Sequence, residues 1–165
     1  MPEFAEPQRR EGQGTADGEP RLLEVGSLAP DFTLVADNNE PVTLSEYRGK
    51  MNVLLFFYPK DSTPGCTRQL CAARDDRDRF LGADVERYGV NHGSLESHRK
   101  FREKIGLDFP LLSDPDLSVA RRYGAAPPDE RKIIRTVYLI DKEGKIAFAA
   151  RGYPTTDEIL GAIGR

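Results

Sequence analysis

The run Val53-Leu54-Leu55-Phe56-Phe57-Tyr58 constrains the fold of this chain more than any other feature, and Pro59 brings it to a stop. A strand with one wet face alternates apolar and polar side chains. An apolar run without alternation, rich in branched and aromatic residues, belongs at the centre of a sheet covered on both faces. The run is far shorter than the ~20 residues needed to span a bilayer. A chain built around such a strand needs packed layers on both sides of its sheet. At 165 residues it is long enough to supply them in one domain without metal or disulfide staples.

The remaining sequence provides those layers. Phe32–Leu34 and Val42–Leu44 alternate in character and flank the turn-forming Asp37-Asn38-Asn39, which predicts a hairpin. Thr63-Pro64 reads as a helix start, with Thr63 as N-cap and Pro64 at the first helical position, and the polar sequence onward to Phe80 suits one helix. Val85–Val90 is a second strand. Ser94–Ile105 is a charged helix with Leu95, Phe101 and Ile105 on its buried side, and Leu117–Tyr123 a short helix. Thr136–Ile140 and Ile146–Ala150 form a second hairpin, and Asp157–Ile163 closes the chain as a helix. The order predicts an α/β fold, a central mixed β-sheet flanked by helices on both faces with an N-terminal β-hairpin. Residues 1–20 carry almost no apolar side chains and are expected to be a disordered tail, leaving 21–165 as the folded domain.

Composition narrows the function. A net charge of −3 argues against nucleic-acid binding, which needs a surplus of Lys and Arg on one face. The N-terminus has charges and prolines where a secretory signal needs an apolar core, so a cytoplasmic location is expected and no membrane partner. There the two cysteines, Cys66 and Cys71, would be reduced thiols, and a disulfide between them transient and functional. With His92 and His98 the only histidines, a structural zinc site would need an unusual ligand set, and no metal is expected. His98 reads as a helix-surface group, His92 as a loop residue, and Lys60 and Asp61 as a solvated loop. The acidic run Asp75, Asp76 and Asp78, interleaved with Arg74, Arg77 and Arg79, reads as a solvated helix face.

The chemistry concentrates in Tyr58-Pro59-Lys60-Asp61-Ser62-Thr63-Pro64-Gly65-Cys66-Thr67, with Cys71 five residues beyond Cys66. If Thr63 caps the helix, Cys66 is its third residue, where unpaired N–H groups and the positive end of the dipole favour an anion. That position lowers a thiol pKa from its reference of about 8.5 and raises the thiolate fraction. Gly65 presents no side chain there, which lets a small substrate approach. A buried structural cysteine is the ordinary reading of a lone intracellular Cys, but the strand, the proline-rich loop and the capped helix favour a nucleophile.

The spacing of Pro59, Thr63 and Cys66 resembles the active-site motif of the peroxiredoxins, and the fuller string with Cys71 resembles their bacterioferritin comigratory protein, or peroxiredoxin Q, branch. Ala29–Leu34, Phe109–Asp114 and Arg135–Asp141 are similar to that branch in order and spacing, so the resemblance covers about residues 24–163. It implies a thioredoxin-like fold with no bound cofactor. It also implies reduction of hydrogen peroxide and organic hydroperoxides, recycling by thioredoxin or a similar dithiol protein, and a monomer. Cys66 would be the peroxidatic cysteine, oxidised to a sulfenic acid, and Cys71 the resolving cysteine. Thr63 would hydrogen-bond the peroxide, Pro59 would shield the site from water, and Arg135 would hold a guanidinium near the thiolate and the developing oxyanion. Only the resemblance selects Arg135 over Arg68, Arg74 or Arg131.

Resolution meets a constraint from helix geometry. Residues five apart in an α-helix lie roughly 8.6 Å apart at Cα, whereas a disulfide tolerates at most about 6.8 Å. The first turns must unwind before Cys71 reaches Cys66. The sequence departs from the branch around Asn91 and Gly93, in the short loop Ala125–Ile133 without aromatics, and at Ala73, where a Phe is common and looser packing is predicted. Two alternatives stay open: a thiol-disulfide oxidoreductase of the same fold, though the cysteines lack the usual Cys-x-x-Cys spacing, and a redox-sensing relay protein. Fold alone does not separate them.

Overall fold

In the computed structural model, which describes residues 19–164 and Cys66 by its backbone, the elements follow in chain order. They are β1 (Thr33–Ala36), β2 (Pro41–Thr43), β3 (Asn52–Phe57), α1 (Pro64–Asp75), α2 (Arg77–Gly82), β4 (Val85–Asn91) and α3 (Leu95–Ile105). After these come β5 (Leu111–Ser113), α4 (Ser118–Arg122), β6 (Thr136–Ile140), β7 (Ile146–Arg151) and α5 (Thr156–Gly161). The expected tail lies outside the described residues up to position 18. At its end, Pro20 offers its carbonyl to Arg151 Nη2 at 2.5 Å.

The seven strands form one mixed sheet in the order β2-β1-β5-β4-β3-β6-β7. The apolar run is its central strand, with every residue of β3 buried. β4 pairs with it in parallel, from Asn52↔Val85 to Phe57↔Val90, and β6 pairs antiparallel, from Val53↔Ile140 to Phe57↔Thr136. Because successive side chains leave a strand on opposite faces, the run feeds two cores. Val53, Leu55 and Phe57 join Tyr88, Tyr123 and Tyr138 on the face covered by α4. Leu54, Phe56 and Tyr58 join Leu70, Phe80, Phe101 and Ile159 on the face covered by α1, α2, α3 and α5. Burying each such side chain contributes roughly 1.5–3 kcal/mol, which fixes β3 and therefore the loop that leaves it at Pro59.

Both expected hairpins form, as β1–β2 and β6–β7. Two elements differ from expectation. β5 is an additional three-residue strand, joined to β4 on one side and β1 on the other. Its length is too short for a periodic signal, and tertiary pairing defines it. The single helix expected through Phe80 is divided at Asp76, which turns Phe80 into the core at 1% exposure while Asp76 accepts the Thr156 hydroxyl. Asp75 and Asp78 of the acidic run are exposed, as expected, but they lie on two helices rather than on one face. Among the described residues no helix is long and apolar enough to cross a membrane.

Candidate active site

Pro59, half-buried, starts the connection from β3 to α1. Ser62 takes a left-handed conformation (φ 64°), Thr63 is extended, and Pro64 occupies the first helical position. The first helical bond runs from the Thr67 N–H to the Thr63 carbonyl at 2.9 Å. Thr63 is therefore the N-cap residue and Cys66 the third residue of α1. The expected capping by the Thr63 side chain is not made: its hydroxyl donates to the Lys60 carbonyl at 3.0 Å. Gly65 and Cys66 have no intrahelical acceptor for their N–H groups, and the Thr63 oxygen does not occupy them. The positive end of α1 stays available to an anion, and the Thr63 oxygen keeps lone pairs able to accept from a peroxide O–H.

Arg135, just ahead of β6, reaches this turn. A Cβ built on Gly65 would stand 3.3 Å from Arg135 Nη2 and 2.4 Å from the Tyr153 hydroxyl oxygen. The missing side chain at Gly65 thus makes room for these two groups, and the space expected for an approaching substrate is taken by the protein's own side chains. Arg135 Nη1 donates to Gln69 Oε1 at 2.6 Å, and its guanidinium carbon lies 4.5 Å from the centre of the Tyr153 ring. Of the competing arginines, Arg74 and Arg131 are engaged elsewhere, and Arg68 shares the Tyr153 ring with Arg135. Arg68 stacks on Tyr153 at 4.7 Å, Arg74 bonds the Ile105 carbonyl and Asp75, and Arg131 donates to the Pro115 carbonyl at 3.1 Å. Local sequence does not reveal Gln69 or Tyr153 as site residues. Tyr153 carries only a weak signal, an aromatic residue between a turn glycine and a proline.

The surroundings of the loop are more buried than the sequence predicts. His98, expected on the surface, is fully buried, and Asp61, expected in a solvated loop, is buried beside it. His98 Nδ1 lies 2.7 Å from Asp61 Oδ2, which also accepts from Ser97 Oγ at 2.6 Å, while Tyr58 donates to Asp61 Oδ1 at 2.5 Å. Helix α3 points His98 inward to meet a partner 37 positions earlier in the chain, a pairing that local sequence does not reveal. The network ties the loop bearing Pro59 and Thr63 to β3 and α3.

Burial pushes the Asp61 carboxyl up, but hydrogen bonds from His98, Ser97 and Tyr58 outweigh it and hold the group below the usual carboxylate range. A depressed folded-state value stabilises the protein above the unfolded carboxylate pKa of about 3.9. The contribution drains away as pH falls through the lower folded value. Asp61→Asn is expected to cost about 2–4 kcal/mol at pH 7. Urea melts should show the gap to wild type narrowing below about pH 4; a gap constant from pH 3 to 7 would contradict this role.

Cys71 is a half-buried free thiol on the same helix as Cys66. Since α1 is continuous through both positions, their Cα atoms are roughly 8.6 Å apart, beyond disulfide reach. The two halves of α1 are held differently. Beyond Cys66, Leu70 and Ala73 enter the core, and the buried Arg87 donates to the Ala73 carbonyl at 2.7 Å while pairing with Asp108. A groove of about 310 Å³ lies under the helix, lined by Phe56, Ala72, Ala73, Phe80, Tyr153 and Ile159 among others. This is where the small side chain of Ala73 predicts looser packing.

A mixed sheet layered with helices, and a cysteine on the first turn of the helix leaving its central strand, define a thioredoxin-like protein. Residues 25–149 match the AhpC/TSA family, and the chain belongs to that family, the peroxiredoxins. It is 38% identical over 149 residues to a putative peroxiredoxin bcp of Coxiella burnetii, covering 87% of this chain and 98% of that protein. It is 42% identical over 123 residues to the chloroplastic peroxiredoxin Q of Sedum lineare, covering 73% of this chain and 65% of the relative. Among solved structures, peroxidoxin BcpB from Mycobacterium tuberculosis superposes with a TM-score of 0.76 at 29% identity, over 86% of this chain and 94% of the other. A Xanthomonas campestris bacterioferritin comigratory protein, studied for its alkyl peroxide reduction activity, gives 0.72 at 28% identity, over 86% and 93%.

Proposed function

We propose that this protein is a thiol peroxidase that reduces hydrogen peroxide and organic hydroperoxides through Cys66, with Cys71 as the resolving thiol and thioredoxin or a similar dithiol protein as the reductant. The observation that carries this reading is the convergence of Arg135, from the start of β6, on the first turn of α1, where Cys66 is the third residue. Two sources of positive potential, helix N–H groups and a guanidinium, favour a thiolate over a thiol at that position. The same groups stabilise negative charge developing on the peroxide oxygens.

In the first step the thiolate attacks one peroxide oxygen and the O–O bond breaks. Sulfur is oxidised to a sulfenic acid, and the other oxygen leaves as hydroxide or alkoxide and takes a proton to become water or an alcohol. Thr63 orients the peroxide and Pro59 limits water access. In the second step the first turns of α1 unwind, and the Cys71 thiolate attacks the sulfenic sulfur and expels hydroxide, which is protonated to water. The external dithiol then reduces the Cys66–Cys71 disulfide and is itself oxidised to a disulfide. Resolution within one chain needs no second subunit, consistent with a monomer.

Peroxide consumption coupled to thioredoxin and its reductase tests the proposal. Peroxide-dependent turnover is the expected result. Reduction of insulin disulfides without peroxide turnover would instead indicate a thiol-disulfide oxidoreductase, and a specific partner trapped by Cys71→Ser a relay protein.

A further inference from the structure

Tyr153 sits between β7 and α5 and is 47% exposed, so core packing does not explain its position. The backbone around it is closely defined. Gly152 before it takes a left-handed turn (φ 79°), Pro154 follows, and Thr155 opens α5 with a reciprocal capping box to Glu158. Its ring lies against two guanidiniums, 4.5 Å from that of Arg135 and 4.7 Å from that of Arg68. Its hydroxyl oxygen lies over Gly65, 2.4 Å from where a Cβ would be. Gln69 ties the same parts together, accepting from Arg135 at 2.6 Å and donating to the Gly152 carbonyl at 3.3 Å.

We propose that Tyr153 is a positioning residue that latches the first turn of α1: its ring steadies the Arg135 guanidinium for attack on peroxide, and its contact over Gly65 must release before α1 unwinds for resolution. The inference rests on the roles proposed for Cys66 and Cys71. A stacked ring, together with the Gln69 bond, limits the orientations of the Arg135 guanidinium. A phenol over the second residue of α1 opposes unwinding in the segment that Cys71 needs freed. One side chain therefore has opposite effects on the two steps: it accelerates oxidation of Cys66 and restrains disulfide formation.

The test measures both rates by rapid mixing with hydrogen peroxide, acid quenching and mass analysis of the thiol, sulfenic and disulfide forms. Tyr153→Ala is expected to slow oxidation of Cys66 about three- to tenfold and to accelerate disulfide formation by a similar factor. Cys66 should then be less prone to over-oxidation to the sulfinic acid at high peroxide. Tyr153→Phe keeps the ring and is expected to keep the oxidation rate within about twofold. A merely structural role would lower the melting temperature and leave both rates unchanged or slow both together, and either result overturns the latch. Absence of peroxide reactivity at Cys66 in the wild-type protein would instead overturn the peroxidase reading itself.

Discussion

Cys66→Ser is expected to lower peroxide turnover by roughly a thousandfold or more while leaving the fold unchanged. A serine hydroxyl at the same site stays protonated in a field that ionises a thiol, because it starts from a far higher pKa, so the nucleophile is removed. The helix terminus and Arg135 remain, but electrostatic stabilisation of a peroxide accelerates nothing without an attacking sulfur. Cys71 does not substitute, since it lies five residues along α1, beyond the positive first turn. The coupled assay with thioredoxin and its reductase, alongside a thermal melt, checks this. A variant that folds normally and keeps a tenth of the activity would place the nucleophile elsewhere.

The second large effect is expected on oxidation. One equivalent of peroxide should unwind α1 from Pro64 through Cys71, because intact helix geometry keeps the two cysteines too far apart to bond. Amide exchange in this segment is expected to accelerate by about a hundredfold or more, as for a locally unfolded unit. The end of the helix is held by the Arg87 bond to the Ala73 carbonyl and by Ala73 in the core, so protection should resume there, and α3 and α5 should be unaffected. Cys71→Ser should abolish the change. A Cys66–Cys71 disulfide with α1 still protected from Pro64 past Cys71 would contradict the account.

The sequence revealed what local chemistry determines. The unbroken apolar run identifies the central strand, alternation around a polar turn the first hairpin, the turn between two strand-like runs the second, and the Thr-Pro pair the start of α1. Interactions between distant segments were not legible. β5 is a strand only because β4 and β1 flank it. His98 and Asp61 are charged or polar residues in polar surroundings, and only the packing of α3 over the loop after β3 makes them a buried pair. The role proposed for Arg135 came from resemblance alone, since its partner Gln69 lies 66 residues away. Thr63 stands at the helix start as its sequence predicts, but its hydroxyl donates to the Lys60 carbonyl across the left-handed Ser62. Tyr153 acquires meaning only when the β7–α5 connection is laid across Gly65.

Peroxidase chemistry at this site depends on Cys66 being an activated thiolate. Rapid mixing of the reduced protein with hydrogen peroxide, following loss of the Cys66 thiol at pH 7, tests this directly. The expected second-order rate exceeds that of free cysteine by a factor of about a thousand or more. A rate no faster than that of free cysteine would contradict the assignment of this site as a peroxidase centre.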